Sequence, residues 1–207
     1  MGFYQRHILP RLIHGGMRQA QLKPLRSSLI EAARGRVLEV GIGSGLNIPF
    51  YRRDVVQVIG IDPSRALLAK ARRAAAWSRC PVRLLEGCAE TLPLASGSID
   101  HVVMTWTLCS VADPLGALGE IRRVLRPGGA LLFIEHGKAA DDDPGVQRWQ
   151  ERITPLWRRF AGHCHLNRRV DQLLVAAGFE PTSLDCGYMV KGPKILTFHY
   201  RGRAAVR

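Results

Sequence analysis

Short apolar runs alternate with amphipathic stretches along most of the chain, and this alternation predicts strands separated by helices. Runs too short for helical periodicity predict buried strands at residues 37–40, 55–61, 82–85, 99–105 and 130–134. Helices are predicted at residues 24–33, 65–77, 113–125 and 167–177. Apolar and polar residues alternate in residues 179–186 and 195–200, and this predicts two final strands that form an antiparallel pair at one edge of the sheet. The pattern therefore predicts an α/β fold with a doubly wound, seven-stranded sheet, mostly parallel and ending in an antiparallel hairpin.

The N-terminal arm has a pattern of its own, in which apolar residues recur at helical spacing from Tyr4 and Ile8 onward. We expect a short amphipathic helix over residues 2–13 that Pro10 breaks or kinks and that Gly15–Gly16 ends. Three interpretations of this arm stay open: it covers a bound ligand, it touches a membrane, or it packs on the edge of the sheet. The arm is short and polar and lacks a signal-peptide pattern, so we expect neither a membrane anchor nor a signal peptide.

The first predicted strand runs into three glycines spaced two apart, Gly41, Gly43 and Gly45. Glycine allows the backbone to turn sharply and allows a ligand to approach the main chain closely. A strand, a glycine turn and a following helix form the phosphate or nucleoside crevice of an open α/β sheet. A dinucleotide fingerprint requires Gly or Ala at position 46, where this chain has Leu46. The acidic Glu39 also suits a ligand with a positive group better than it suits a pyrophosphate.

The second predicted strand ends in Asp62-Pro63-Ser64, 21 residues beyond Gly41. A carboxylate at a strand end, at this distance from a glycine turn, can accept hydrogen bonds from both hydroxyl groups of a ribose. The alternative is that Asp62 is only a turn residue before the proline. Ser64 is expected to cap the helix that follows.

The fourth and fifth predicted strands deliver polar side chains to one edge of the sheet. Thr105 ends the fourth strand and Thr107 follows it, and Glu135 and His136 follow the fifth. Because the carboxyl ends of parallel strands meet at the same edge, we expect these side chains to converge on the glycine turn.

Composition agrees with a single globular domain over residues 1–207, since 46% of the residues are hydrophobic and 23% are charged. No apolar run approaches the roughly 20 residues that a membrane span needs. Five cysteines form an odd and scattered set without a C-x-x-C pair. This argues against a disulfide framework and against a structural zinc site, and we therefore expect a protein of the reducing cytoplasm.

The net charge of +13 is unevenly distributed. Residues 1–36 hold seven Lys or Arg against one acid, and residues 147–170 hold six Arg against one acid. These segments suit an acidic substrate, an anionic membrane surface or nucleic acid. The alternative is that the proteins of the source organism are basic and arginine-rich in general, so that the charge has no specific partner. We rank nucleic acid low, because no motif of a known RNA-binding module is present. The localisation that we expect is cytoplasmic, with peripheral membrane association as the alternative.

Two motifs resemble the class I methyltransferases that use S-adenosylmethionine (SAM). The first is strand-Glu-x-Gly-x-Gly-x-Gly, ending at Gly45, and the second is Gly-x-Ala-Glu-x-Leu-Pro, beginning at Gly87. The resemblance implies that SAM is the cofactor and S-adenosylhomocysteine its product. Members of this family usually carry Asp where this chain has Cys88, and that Asp contacts the adenine amino group. Because a thiol replaces that acceptor poorly, we expect backbone groups near Ala89 to take over part of the contact.

Later segments resemble one subgroup, the methyltransferase-like thiol S-methyltransferases. The most specific are Trp149-Gln150, Pro155-x-Trp157 and Gly162-His163-Cys164-His165-Leu166-Asn167-Arg168, and runs at 107–111, 122–129 and 133–136 are similar as well. The chain departs from the subgroup in two respects. Its N-terminal residues lack the pattern of the hydrophobic anchor that members of the subgroup carry, and it has Gly162-His163 where they have Asp-Gly. A weaker similarity runs to bacterial phospholipid N-methyltransferases.

The resemblance implies an enzyme that transfers a methyl group from SAM to a small, fairly apolar acceptor, first of all a thiol. Alternatives are an amine headgroup of a phospholipid and a ring carbon of a quinone. Lower-ranked alternatives are a SAM-binding protein without activity and an RNA-binding protein. We expect residues 1–34 to form a helical cap and residues 141–168 to form an insert on the substrate side.

The expected site draws on most of the chain. Expected cofactor contacts are Glu39, Gly41, Gly43, Gly45, Asn47, Asp62, Pro63, Ser64, Cys88, Ala89, Glu90, Thr105, Thr107 and Leu108. Expected acceptor contacts are Tyr4, Trp149, Trp157, Cys164 and Arg168. His136, next to Glu135, is the expected catalytic base for a thiol, unless it only orients the substrate or supports the fold.

The run His163-Cys164-His165 suggests a metal site. Adjacent ligands alternate in direction, however, and no further Cys/His pair is spaced to complete a tetrahedron. Methyl transfer from a sulfonium also needs no metal. We therefore expect no metal ion.

Overall fold

The apolar runs form the sheet that they predict in the computed structural model, which describes residues 3–207 apart from the side chain of Gln5. The strands are β1 (Gly35–Val40), β2 (Val55–Asp62), β3 (Val82–Glu86), β4 (Ile99–Thr105), β5 (Leu125–His136), β6 (Phe179–Tyr188) and β7 (Phe198–Val206). Their order is β3-β2-β1-β4-β5-β7-β6. Neighbours from β3 to β5 are parallel, whereas β7 is antiparallel to both β5 and β6. The predicted doubly wound sheet with an antiparallel final hairpin is confirmed.

Helices connect the parallel strands and flank the sheet. They are α1 (Leu9–Met17), α2 (Lys23–Ile30), α3 (Arg65–Ala75), α4 (Pro114–Val124), α5 (Pro144–Phe160), α6 (Val170–Ala176) and α7 (Lys194–Thr197). A π-helical turn (Tyr4–Ile8) precedes α1, and 3-10 turns lie at Ala20–Leu22 and Ile48–Phe50. Over residues 3–207 no helix combines the length and the apolar character that crossing a membrane requires.

Side-chain caps explain where three of the helices begin. Ser64 Oγ accepts a hydrogen bond from the Leu67 N–H at 3.3 Å at the start of α3, as predicted. Asp113 and Asp143 accept from backbone N–H groups three residues further on, at 3.0 and 3.3 Å, and thereby cap α4 and α5. Each cap satisfies an N–H that the first turn of a helix leaves without an intrahelical partner.

Apolar side chains fill both faces of the sheet. Successive residues of a strand point to opposite faces, so Val37 belongs to a core cluster with Leu29 and Ile30 of α2. Its neighbour Leu38 belongs to a second cluster, which includes Leu118 of α4. Burial on both faces explains why the strand sequences are almost continuously apolar.

The strand order reverses beside β1, because β2 lies on one side of it and β4 on the other. In open α/β sheets, ligands bind at such a reversal, in the crevice outside the carboxyl ends of the strands. Here the crevice is bordered by the glycine turn after β1 and by the loop after β4.

The N-terminal arm differs from its prediction. The helix α1 continues through Gly15 and Gly16 to Met17, so the predicted stop was wrong. Glycine disfavours a helix interior by about 1 kcal/mol without forbidding it. Pro10 lies in the first turn of α1, where its missing N–H is not needed. The π-helical turn ends at Ile8 directly before it, so the helical geometry of the arm changes at this proline. The predicted start at Gly2 lies outside the described residues.

Two predicted boundaries near the C-terminus were also wrong. The N-cap of α6 is Arg169, whose backbone is extended, rather than Asn167. Asn167 lies in a separate turn, and Arg168 O accepts a hydrogen bond from the Lys138 N–H at 2.8 Å, so the helix does not begin before Val170. The last strand begins at Phe198 rather than at residue 195, since residues 194–197 form α7 after Pro193. Alternation over six residues did not distinguish this helical turn from a strand.

Candidate active site

The three glycines after β1 all have positive φ angles, of 70°, 56° and 77° for Gly41, Gly43 and Gly45. A Cβ at Gly41 would collide with the Thr107 side chain, and one at Gly45 would lie 3.1 Å from Ala71 Cα of α3. A Cβ at Gly43 would meet only one backbone oxygen within 4 Å, at 3.9 Å. The turn is therefore packed on its two sides and open above Gly43, where a ligand can approach the backbone.

Asp62, at the end of β2, lies directly beside this opening. Its Oδ2 accepts a hydrogen bond from the Gly43 N–H at 2.9 Å, and its Oδ1 accepts one from the Ser64 N–H at 2.8 Å. Burial raises the pKa of Asp62, and the two backbone hydrogen bonds oppose this effect. A carboxylate has about four acceptor positions, so the two oxygens retain capacity for the hydroxyls of a ribose. Pro63 and Ser64 continue the wall of the crevice into α3.

Glu39 and Asn47 lie beneath the glycine turn in a buried hydrogen-bond network. Glu39 accepts hydrogen bonds from Asn47 Nδ2 and from the Tyr51 hydroxyl, both at 2.8 Å. Asn47 also donates to Thr105 Oγ1 at 3.0 Å and accepts from Arg26 at 2.8 Å. Burial raises the pKa of Glu39 to about 7, although these bonds and Arg26 act in the opposite direction. Both carboxylate oxygens are thus engaged with the protein, and direct contact of Glu39 with the cofactor stays a prediction.

Arg26 and Tyr51 are site residues that the sequence analysis missed. Arg26 of α2 is buried, and its guanidinium lies 4.6 Å from the centre of the Trp106 ring. Trp106 itself has a φ of 52°, an unfavourable conformation for an aromatic residue, in the middle of the loop that leaves β4. No local pattern marks such contacts, because they join segments far apart in the sequence.

The residues expected around adenine have mixed environments. Cys88 is exposed and Ala89 is buried. Glu90 accepts hydrogen bonds from the backbone N–H groups of Ala112 and Asp113, at 3.1 and 3.3 Å, so its carboxylate supports the loop before α4. The cofactor contacts of these residues stay predictions.

Glu135 fixes the loop after β4 from behind. It is fully buried, and its Oε1 accepts a hydrogen bond from the Thr107 N–H at 2.9 Å. Burial raises the pKa of Glu135 well above its usual value, and Cys109 raises it further, while the backbone N–H groups of residues 107–109 lower it. Its Oε2 has no hydrogen-bond partner within the described part of the chain. Glu135 therefore positions residues 107–109, of which Leu108 is completely buried.

His136 lies within a cluster of two thiols, which we call the Cys109–His136–Cys164 cluster. The distance from His136 Nε2 to Cys164 Sγ is 3.0 Å, and the three donor atoms all lie within 4.8 Å of one another. A hydrogen bond with Cys164 holds the pKa of Cys109 well below its usual range, against the effect of burial, and the same contact raises the pKa of Cys164. Burial acts to lower the pKa of His136, but Cys109 raises it by more. The expected base is thus already in contact with protein sulfur.

Arg168 and Trp157 border this cluster. The Arg168 guanidinium donates to the carbonyl oxygens of Leu108 and Val111, the latter at 2.8 Å, and so ties residues 162–168 to the loop after β4. The Trp157 indole N–H is buried without a hydrogen-bond partner of good geometry among residues 3–207, and it favours the ionised form of the Cys164 thiol. These expected acceptor contacts, with Cys164, therefore lie together.

Trp149 and Tyr4 lie elsewhere. Trp149 is 57% exposed on the outer face of α5, and its part in acceptor binding stays a prediction. The Tyr4 hydroxyl donates to Phe160 O at 2.7 Å, at the end of the same helix. The N-terminal arm therefore touches the insert.

The helix α1 lies against the glycine turn as well. His14 Nδ1 lies 2.7 Å from Ser44 Oγ, and a Cβ at Gly162 would lie 3.3 Å from Leu9 of α1. The arm therefore bridges the turn and the segment that carries Cys164. Among the three interpretations of the arm, these contacts favour a cover over the cofactor side of the site.

Comparisons with known proteins agree with this geometry. A family model described as a methyltransferase domain matches residues 38–133. The thiol S-methyltransferase TMT1B of Rattus norvegicus is 33% identical over 174 residues, which are 80% of this chain and 67% of the relative. The phosphatidylethanolamine N-methyltransferase of Cereibacter sphaeroides is 37% identical over 109 residues, 52% of this chain and 53% of that protein. This chain spans only about two thirds of the length of the first relative and about half of the second.

A solved structure supports the fold. A SAM-dependent methyltransferase of Thermotoga maritima superposes with a TM-score of 0.68 at 24% identity, covering 97% of this chain and 99% of the other. The open glycine turn and the Asp62 carboxylate beside it fit a nucleoside cofactor of this kind. The chain therefore belongs to the class I SAM-dependent methyltransferases, shares their cofactor, and is related to the thiol S-methyltransferases.

Proposed function

We propose that this methyltransferase acts on a small, apolar thiol. The observation that carries the proposal is the Cys109–His136–Cys164 cluster beside Arg168, at the same edge of the sheet as the glycine turn. An imidazole and a guanidinium favour a thiolate acceptor, whereas an amine acceptor would be served better by free carboxylates. Both carboxylate oxygens of the buried Glu39 accept protein hydrogen bonds, and Glu135 Oε1 accepts one from the Thr107 N–H, which leaves only Glu135 Oε2 without a partner among the described residues.

The residues around the glycine turn hold the cofactor in this proposal. When bound, SAM supplies a methyl group carried on a positively charged sulfur. Asp62 accepts hydrogen bonds from the ribose hydroxyls, and the open backbone at Gly43 receives the amino-acid end. Thr105 and Thr107 lie beside it, while Glu39 and Asn47 keep the turn in shape from below.

His136 promotes loss of the acceptor's proton. A free thiol has a pKa of about 8.5, so the nucleophilic thiolate is the minor form at neutral pH. His136 and Arg168 both favour the anion, and the half-buried Trp157 ring beside Cys164 reduces the access of water to it. Position and desolvation then account for most of the remaining acceleration, because displacement at a methyl group needs little further chemistry from the protein.

The exposed surface of α5 favours a second candidate, methylation of an amine headgroup at a membrane. Trp149, Leu156 and Phe160 recur at helical spacing on α5 and are 57%, 64% and 56% exposed. Arg152 adds positive charge beside Trp149, with its guanidinium 6.0 Å from the ring centre. Apolar and basic side chains on one helix face are typical of contact with an anionic membrane surface. Such contact would also deliver an apolar thiol from the membrane.

The test is transfer of a labelled methyl group to separate acceptors. The full chain receives methyl-labelled SAM with small apolar thiols, with vesicles that contain phosphatidylethanolamine, or with quinols. We expect label in a thioether. Label in the lipid or the quinol and none in any thiol would contradict the proposal, as would no transfer by protein that binds S-adenosylhomocysteine.

A pair of histidine variants makes this test specific to the site. His136→Gln is expected to reduce thiol methylation with little change in the affinity for S-adenosylhomocysteine. His101→Gln serves as the control, because His101 lies on β4 and bonds to Arg34, remote from the carboxyl edge. Equal activity of the two variants would remove His136 from the mechanism.

A further inference from the structure

The donor atoms of the Cys109–His136–Cys164 cluster come from three separate segments of the chain. Cys109 lies in the loop after β4, His136 ends β5, and Cys164 follows α5. Their two sulfurs and one imidazole nitrogen all lie within 4.8 Å of one another, with His136 Nε2 3.0 Å from Cys164 Sγ. The cluster is inside the protein, since Cys109 and His136 are buried and Cys164 is partly buried.

This spacing is close to that of the ligands around a zinc ion. Zinc binds thiolate sulfur at about 2.3 Å and imidazole nitrogen at about 2.0–2.1 Å, so tetrahedral ligands lie roughly 3.5–3.8 Å from each other. Small side-chain rotations bring the three donors from their present separations to these values. Two soft sulfurs and an imidazole select zinc-like ions over magnesium or calcium, which prefer oxygen.

We propose that Cys109, His136 and Cys164 bind one zinc ion and leave its fourth position open to the sulfur of the methyl acceptor. Three protein ligands with an open fourth position are the arrangement of catalytic rather than structural zinc sites. The ion replaces the two thiol protons of the cluster, which leave to solvent, and its charge is balanced by the two thiolates. Arg168, anchored by the carbonyl oxygens of Leu108 and Val111, adds positive charge for a third thiolate.

In this proposal His136 promotes the thiolate indirectly, as a ligand of the zinc ion whose open position binds the acceptor sulfur. When the acceptor binds, its S–H bond breaks, a sulfur–zinc bond forms, and the proton leaves to solvent. In methyl transfer a lone pair of that sulfur forms the new S–C bond, and the electron pair of the broken C–S bond stays on the cofactor sulfur. The thioether product is neutral and a weaker ligand, so it dissociates. This role of the open position rests on the proposed function, whereas the metal site does not.

The proposed site departs from the expectation of no metal, which concerned the run His163-Cys164-His165. Only Cys164 of that run belongs to the cluster. His165 Nδ1 instead lies 3.1 Å from the carbonyl oxygen of Cys109. The ligands are 27 and 28 residues apart in the chain, as the differences between 109, 136 and 164 show, so no short motif reveals them.

Cobalt substitution tests the site without any methyl transfer. The reduced full chain is titrated with Co²⁺, whose thiolate complexes absorb in the near ultraviolet, and bound zinc is counted by elemental analysis. We expect one ion per chain with thiolate-to-cobalt absorption, weakened at least about tenfold in affinity in Cys109→Ser and in Cys164→Ser. Cys186→Ser is the matched control, because Cys186 is an exposed thiol on β6, and it should bind cobalt like the wild type.

Each other outcome overturns the site. Absence of bound metal in reduced wild-type protein that binds S-adenosylhomocysteine would contradict it. Equal cobalt binding by the three serine variants would also contradict it. So would a protein that forms a Cys109–Cys164 disulfide in air and binds no added zinc. If a serine variant fails to fold, judged by S-adenosylhomocysteine binding, Cys164→Asp replaces it, because a carboxylate retains zinc but removes half of the thiolate-to-cobalt absorption. One bound zinc together with failure to methylate any thiol would leave the metal site in place and overturn the proposed function alone.

Discussion

Single residues divide the cofactor side of the site into an open surface and a support beneath it. Gly41 and Gly45 are glycines because neighbouring atoms leave no room for a side chain, whereas Gly43 faces open space. Asp62 lies at the opening, and Glu39 lies below the turn with both oxygens engaged. Asp62 was predicted from its distance to the glycines, a local pattern. The support was not, since Arg26 and Tyr51 reach it through tertiary contacts.

Substitution by alanine is expected to affect cofactor binding at Gly43, in the crevice, but not at Gly97, which lies outside it. Gly43→Ala and Gly97→Ala both place alanine at a positive φ, of 56° and 62° in the parent, which costs roughly 1–2 kcal/mol in each case. Neither added Cβ meets protein atoms closer than 3.9 Å. We expect calorimetry to show at least about tenfold weaker S-adenosylhomocysteine binding for Gly43→Ala only. Similar affinities for both variants would show that the cofactor does not cover Gly43.

The buried Glu39 carboxyl predicts a dependence of stability on pH. Its pKa is about 7 in the folded chain against 4.5 for an ordinary Glu, so the folded chain holds this proton more tightly than the unfolded one. The stability that it contributes is complete below the unfolded pKa and is lost as the pH rises through about 7. Relative to Glu39→Gln, the wild type should lose about 3 kcal/mol of unfolding free energy over this window.

Urea unfolding of both proteins at about pH 5 and about pH 8 measures this difference. If the difference in unfolding free energy between the two proteins is the same at both pH values, Glu39 is ionised in the folded chain at each of them.

At the scale of elements, period and length predicted all seven strands and the helices α1 to α4 and α6, with errors at several boundaries, but not α5 or α7. Errors arose where a local signal had two meanings. Gly15–Gly16 was expected to stop the N-terminal helix, but α1 continues through both glycines, whereas the change from the π-helical turn to α1 does lie at Pro10. Asn167 resembles a cap, but it lies in a turn, and Arg168 after it accepts a backbone hydrogen bond from Lys138, just beyond the end of β5. The bridge that α1 forms between the glycine turn and the insert depends on contacts that no periodicity reports.

The outer face of α5 predicts membrane contact that depends on apolar side chains. We expect Leu156→Glu to reduce binding to anionic vesicles about tenfold or more, because burying a leucine contributes roughly 1.5–3 kcal/mol. Val175→Glu is the matched control, since Val175 is 47% exposed on α6 and the change in charge is the same. Vesicle cosedimentation in low and high salt measures both. An equal loss in the two variants would mean that net charge alone drives binding.

At the scale of the whole molecule, the fold brings together reactive side chains that lie far apart in the sequence. Parallel strands predicted that Thr107, Glu135 and His136 would meet at one edge, and they do. The scattered cysteines suggested neither a disulfide framework nor a structural zinc site, yet the loop after β4 and the segment after α5 bring Cys109 and Cys164 to His136. Residues 38–133 carry the general methyltransferase pattern. In the proposed function, residues beyond that range, among them Cys164 and Arg168, complete the acceptor side.

A competition among matched acceptors tests the central claim most directly. One reaction contains the full chain, deuteromethyl SAM and equal amounts of phenylmethanethiol, phenylmethanamine and phenylmethanol, which share one carbon skeleton and differ in the nucleophilic atom. Mass spectrometry identifies every methylated product. The proposed function predicts the labelled thioether alone. A labelled amine or ether in place of the thioether would contradict it, as would no labelled product from protein that binds S-adenosylhomocysteine.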